Sequence, residues 1–333
     1  MFQRLLVPLD GSSGAERAIP VAASLARQTS GSLVFLHLVA PATAWQSAVA
    51  RPEHEALRTR AIERVMVDAA SYLAMIPARY AEALAELPTE MEIAFGTASP
   101  TLPSTARLEH IDLIVLCRHQ EAGLGQWGPE SIAQQVMRHS PVPLLTLNEH
   151  AQDMPVLDGT HPLRVVVPLD GSLFAETALA PALHLLSHGA GSGQRELCLM
   201  HVVDLFASDG TGDEEAHRSP STTEQARQSA ERYLQAIADR LRQRTDGGQD
   251  LQITCLVTSG VDIASAILTQ IAPAASSSLV AMATHGREGI QRLAMGSVAE
   301  RLLNATTAPL LTVCPRVTTV RLMNIALPVP GKQ

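Results

Sequence analysis

An α/β fold built twice in tandem, each copy a doubly wound domain on a parallel sheet, is predicted by three features of the sequence. The chain repeats itself: Leu6-Val7-Pro8-Leu9-Asp10-Gly11-Ser12 returns as Val166-Val167-Pro168-Leu169-Asp170-Gly171-Ser172, 160 residues on. Apolar runs of strand length alternate with Ala- and Leu-rich segments of helical period, which implies parallel strands joined by right-handed crossovers. Its 333 residues make two domains of ordinary size.

The elements follow in order. In the first copy, strands are expected near 4–9, 32–39, 90–95, 112–117 and 143–148, and in the second near 163–169, 196–203, 251–257, 278–283 and 309–314. These runs are apolar nearly throughout, as expected of strands covered on both faces. Helices are expected over Ala15–Gln28, Ala56–Ala85, Thr222–Arg244 and Val298–Asn304. Two further matches fix the alignment of the copies. Leu36-His37-Leu38-Val39 recurs as Met200-His201-Val202-Val203 at an offset of 164, and Cys117-Arg118-His119 as Ala283-Thr284-His285 at 166. The drift places insertions in connections, where they are tolerated. The domains are therefore read as 1–148 and 163–315, with a linker over 149–162 and a tail over 316–333.

Composition excludes several functions. Lys+Arg 25 against Asp+Glu 33 gives a net charge of −8, which lacks the basic footprint of a phosphate-backbone binder. Aromatic residues are 3%, too few for platforms on which single-stranded bases stack. No stretch approaches the ~18 apolar residues that span a bilayer, and the opening lacks the apolar core of a signal peptide. Cys117, Cys198, Cys255 and Cys314 are widely spaced within apolar runs and are expected to be buried, reduced thiols. The expectation is a soluble, cytoplasmic protein that binds neither nucleic acid nor membrane.

Ligands of doubly wound sheets bind beyond the carboxyl ends of the strands, where the strand order reverses. After the second copy's fourth strand comes Thr284-His285-Gly286-Arg287-Glu288-Gly289, and Gly296-Ser297-Val298 then opens a helix. Glycines let backbone approach a phosphate, and a helix N-terminus favours an anion. Ser297 adds a hydroxyl and Arg287 and Arg292 add charge, so the stretch reads as a phosphate cradle. Ser297 and Glu300 also form Ser-x-x-Glu, a capping box that needs no ligand. The first copy is an internal control. Gln120 stands for Gly286, Glu121 for Arg287 and Glu130 for Gly296, while Ser131 and Gln134 keep the capping spacing. Carboxylates there would repel a phosphate. One competent site is expected, in the second copy.

With these motifs in view, the chain resembles a tandem universal stress protein over essentially its whole length. Its ATP-binding members carry Gly-x2-Gly-x9-Gly-Ser/Thr, matched here by Ala283, Gly286, Gly296 and Ser297. The resemblance implies a Rossmann-like five-stranded sheet of order 3-2-1-4-5 with helices on both faces. It implies that Asp170 holds the adenosine end and that backbone at Val202 meets the adenine. Gly286, Gly296, Ser297 and the Val298 N–H would meet ribose and phosphates, with Arg287 a further candidate from its charge. ATP, ADP or AMP is the implied ligand; no metal is required, and Mg would accompany ATP. The implied partners are an unknown protein, the other half of the chain in an intramolecular pseudo-dimer through strands 143–148 and 309–314, and a second chain in a homodimer. The implied function is an ATP-binding stress-response regulator, and the alternative is a nucleotide-independent interaction scaffold. Alanine at 283 departs from the pattern. If that position needs positive φ, alanine costs roughly 1–2 kcal/mol; if it needs only a small side chain, alanine is harmless.

No nucleophile–base arrangement, nucleophile elbow or Gly-x4-Gly-Lys-Ser/Thr loop is present, so the protein is not expected to be an enzyme beyond slow ATP hydrolysis. Asp10 and Asp170 also fit simple turn residues. The recurring histidines, His37 with His201 and His119 with His285, are expected to serve packing. His184 and His188 lack the glutamate of a zinc protease motif, and no metal site is expected.

Overall fold

Apolar, β-branched runs become strands in both copies, within a residue or two of the expected bounds except where strands run on. The structure, a computed structural model, describes residues 2–39, 55–118, 132–149, 157, 161–187, 193–205, 220–244, 251–271, 278–284 and 296–314. The chain divides into two units, Met1–Asp158 and Gly159–Gln333.

In the first unit the strands are β1 (Arg4–Leu9), β2 (Ser32–Val39), β3 (Thr89–Phe95), β4 (Leu113–Arg118) and β5 (Leu144–Asn148). They pair in parallel in the order β3-β2-β1-β4-β5. The helices are α1 (Ser13–Glu16), α2 (Ala18–Gln28), α3 (Glu55–Arg79), α4 (Ala98–Leu108) and α5 (Ile132–His139). In the second unit β6 (Leu163–Pro168), β7 (Arg195–Asp204), β8 (Leu251–Gly260), β9 (Ser278–Ala283) and β10 (Leu310–Val313) repeat the order as β8-β7-β6-β9-β10, again all parallel. Its helices are α6 (Leu173–Glu176), α7 (Leu179–Ser187), α8 (Pro220–Arg244), α9 (Ile263–Ile271) and α10 (Ser297–Ala305). Each unit is thus a doubly wound α/β domain of order 3-2-1-4-5.

Two departures from the expected elements have local causes. The helix expected over 15–28 is split at Arg17, and its counterpart is split between Glu176 and Leu179. Pro20 and Pro181 lack the N–H that would bond four residues back, and their rings crowd that carbonyl. Helix α4, outside the helical stretches named above, carries two prolines; Pro100 falls in the first turn, where its missing N–H is not needed.

Burial follows sheet position. All six residues of β9 are buried, whereas none of β3 or β8 is. Two-sided cover therefore holds for the inner strands and fails for these two, each the edge strand beside β2 or β7 in its own unit's sheet. Cys255 on β8 is exposed and Cys314 half-buried, contrary to the expectation of four buried thiols; Cys117 and Cys198 are buried, and none of the four is in a disulfide. The connection read as a linker is tied to the first unit by Leu157, which is 3% exposed and whose carbonyl accepts from the Ser24 hydroxyl at 2.9 Å.

Candidate functional site

Strands β6, β7 and β9 of the second unit end around one cleft of about 750 Å³, and Asp170, Val202, Ala283, Gly296, Ser297 and Val298 are among its walls. That volume lies within the range of about 300–1,000 Å³ usual for small-molecule sites. Six of the eight site residues expected from the sequence therefore meet at one place. Gly286 and Arg287 lie outside the described residues, as do Arg292, His119 and His285.

Side-chain alternation along β7 sets the two sides of the cleft. His201 meets the ring of Tyr233 on α8, edge-on, at 6.4 Å. Val202, its neighbour, lies toward α9: a Cβ added at Gly260 would be 3.7 Å from Val202 Cγ1 and 3.3 Å from Ala266 Cβ. Helices α8 and α9 therefore cover opposite faces, and the cleft opens between them. The Met200 carbonyl accepts from the Leu169 N–H at 2.8 Å, the last bond on that side before β6 gives out. The main-chain groups of Val202, two residues on and aimed the same way, face the gap beyond β6. They can serve the edge of a planar base.

Asp170 turns the chain out of β6. Its Oδ1 accepts from the Ser172 N–H at 2.9 Å and hydroxyl at 2.6 Å, while Ser172 caps α6 by accepting from the Ala175 N–H. Gly171 takes φ +88°, which a side chain would strain. Asp10, Gly11 and Ser12 build the same turn in the first unit, with Gly11 also at +88°. One carboxylate oxygen of Asp170 thus serves the turn, as the plainer reading held, and the residue still borders the cleft.

At the opposite wall the capping box is not formed. Gly296, not Ser297, is the N-cap of α10, it has no side chain with which to cap the helix, and Ser297 is exposed at the first helical position. The first intrahelical bond is from the Glu300 N–H to the Gly296 carbonyl, so the N–H groups of Ser297, Val298 and Ala299 have no partner within the helix. This end suits an anion. Gly296 has a structural duty too: its N–H donates to the Thr284 carbonyl at 2.9 Å, and a Cβ there would sit 2.9 Å from that oxygen.

Ala283 resolves the question its sequence posed. It is the last residue of β9, in extended backbone paired with Val313, and is not among the residues at positive φ. Alanine is therefore unstrained. Ala283→Gly is expected to leave ATP affinity within about twofold while lowering stability by roughly 0.5–1 kcal/mol, since glycine weakens strand interiors; calorimetric titration and urea unfolding check both.

A duplicated polar cluster beside the cleft went unread in the sequence. In the first unit, buried Glu16 accepts from Tyr72 at 2.9 Å, Tyr80 at 3.0 Å and Arg79 at 2.6 Å. In the second, Glu176 accepts from Tyr233 at 3.2 Å and Arg240 at 2.6 Å. Burial works to raise the Glu16 carboxyl, but bonds from Arg79, Tyr72 and Tyr80 outweigh it and hold it below its ordinary value. His37 stacks at a tilt on Tyr72 at 5.1 Å, and burial lowers its pKa against the pull of Asp10. The recurring pair His37 and His201 thus packs against tyrosines, as expected. Recurrence of Glu16, Tyr72 and Arg79 as Glu176, Tyr233 and Arg240, at offsets of 160 and 161, was the available signal. Among the described residues, Glu90, Glu92 and Glu109 bring carboxylate oxygens together, and Arg4 pairs with Glu90 at 2.6 Å and Glu109 at 3.1 Å.

Comparison with known proteins decides the family. The family model for the universal stress protein family matches residues 1–148 and 163–313. The chain belongs to the universal stress protein family. Its curated relatives include universal stress protein Rv2005c of Mycobacterium tuberculosis (strain ATCC 25618 / H37Rv), 26% identical over 227 residues, or 68% of this chain and 69% of that protein. Mb2028c of Mycobacterium bovis matches to the same extent. Among solved structures, a universal stress protein from Archaeoglobus fulgidus DSM 4304 has a TM-score of 0.58 at 17% identity, covering 95% of this chain and 97% of its own. Protein PA1789 of Pseudomonas aeruginosa PAO1, described as functionally unknown, has a TM-score of 0.56 at 14% identity, covering 97% and 96%. These two likenesses show the fold. No helix among the described residues of this universal stress protein is long and apolar enough to cross a membrane.

Proposed function

We propose that this universal stress protein binds an adenine nucleotide, ATP foremost, in its second unit alone, and acts in the cytoplasm as a stress-response regulator by binding and not by catalysis. The observation that carries the reading is the cleft: a helix N-terminus whose N-cap is a glycine, with an exposed Ser297, on one wall, and strand-end backbone at Val202 turned to the gap beyond β6 on another. The donor set fits a phosphate chain at α10 and a base at β7. Restriction to the second unit is supported by Glu121 and Glu130, which stand in the first copy where the second has Arg287 and Gly296.

Scaffolding without a nucleotide is the second reading, and the close approach of Gly296 to Thr284 favours it by giving that glycine a reason of its own. Two measurements on the full chain separate them: mass spectrometry of small molecules released on denaturation, and thermal unfolding with excess ATP. At a hundredfold excess over Kd, a ligand of the native state adds about 2.7 kcal/mol and raises Tm. Released adenylate or a raised Tm supports the nucleotide reading. Neither, at millimolar ATP, supports the scaffold.

A further inference from the structure

We infer that Asp204 reads the sugar of the ligand, so that the cleft selects ribonucleotides with a free 2′,3′-diol over their 2′-deoxy counterparts. The inference rests on the nucleotide reading above and adds sugar recognition to it.

Asp204 is the last residue of β7 and borders the same cleft as Val202 and Ser297. It is held on a paired strand: Asp204 is in register with Gly260, and the Leu205 N–H donates to the Gly260 carbonyl at 3.2 Å. A side chain fixed on a strand recognises more sharply than one on a loop. In register terms it shares parity with Val202, the residue whose backbone faces the gap beyond β6.

The duplicated chain distinguishes inherited architecture from site chemistry. Asp170 has a twin in Asp10, and both build the same turn. Asp204 has none: at the offset of 164 that aligns His37 with His201, its counterpart is Ala40. The carboxylate is thus present only in the half whose loop also keeps the glycines. An ionised carboxylate accepts hydrogen bonds and donates none. It repels phosphate, so it does not serve the anionic end of the ligand. It suits hydroxyl donors, and a vicinal diol offers two of them to its two oxygens. In doubly wound dinucleotide-binding folds an acidic residue after an early strand holds ribose hydroxyls by the same chemistry. With the base at Val202 and the phosphates at α10, the sugar must lie between them.

Calorimetric titration of the full chain with ATP and with dATP tests this, repeated on Asp204→Ala and Asp204→Asn. The parent is expected to prefer ATP by about tenfold or more, since a hydrogen bond to a charged group is lost in dATP. Asp204→Ala should bring the two within about twofold by weakening ATP more than dATP, which keeps only the 3′-hydroxyl, and Asp204→Asn should fall between. Equal affinity of the parent for both ligands overturns the inference without touching the nucleotide reading, and needs no variant. A preference for ATP that survives undiminished in Asp204→Ala also overturns it. Failure of the parent to bind either ligand overturns the nucleotide reading and this inference together.

Discussion

Replacing Ser297 with glutamate is expected to weaken ATP binding about a hundredfold while leaving the protein as stable as before or slightly more so. The two effects have opposite signs because of where Ser297 sits. It is exposed at the first position of α10, with no cap hydrogen bond to lose. A carboxylate at a helix N-terminus interacts favourably with the dipole, by about 0.3–1 kcal/mol. The same carboxylate would stand where the reading places phosphate. Unit charges about 5 Å apart at an effective dielectric near 20 repel by about 3 kcal/mol, which is a factor of about a hundred. Calorimetry reads the first effect and urea unfolding the second. Unchanged ATP affinity would remove α10 from the site. Position 296 cannot give so clean an answer, because any side chain there meets the Thr284 carbonyl at 2.9 Å and disturbs the fold as well.

Glu16→Leu is expected to destabilise the first unit by about 2–3 kcal/mol, because it strips three hydroxyl and guanidinium donors of one buried acceptor. The Glu16 side chain is 4% exposed, and Tyr72, Tyr80 and Arg79 all close on it. Glu16→Gln keeps the shape and one acceptor and should cost about 1 kcal/mol. The pH dependence follows from the lowered carboxyl. A group with a lower pKa when folded contributes stability above its ordinary value of 4.5, and that contribution is lost as pH falls through the folded value. Urea unfolding of the full chain from pH 7 down to about 3 should therefore show a decline that Glu16→Gln makes shallower. A decline of equal slope in both proteins would mean that Glu16 is not a source of acid sensitivity.

The inner strands were legible because burial on both faces forces a continuous apolar run, and β1, β2 and β9 fall at the expected bounds. Edge strand β8 runs to Gly260, three residues past its apolar run, because pairing with β7 continues where burial does not. Helices carrying proline were harder, since Pro20, Pro100 and Pro181 signal breaks whose outcome depends on which turn they fall in. Of the residues that line the cleft, Asp170 and Ser297 were expected from position and motif and Val202 from the family resemblance. That Gly296 and not Ser297 is the N-cap was not legible, because a capping box and a first-turn serine one residue on share a spacing. The Glu16 cluster was invisible to a pass along the chain: its members sit on α1, α3 and the turn after α3, brought together only by packing.

Between the twin clusters there is one inequality. Glu16 holds two tyrosines and an arginine, whereas Glu176 holds one of each, because Leu241 replaces the second tyrosine. The turn that opens the cleft is therefore moored by fewer lines than its sibling. Amide exchange should find that segment opening more often in the second half, at a lower free energy, with occupancy of the cleft slowing it.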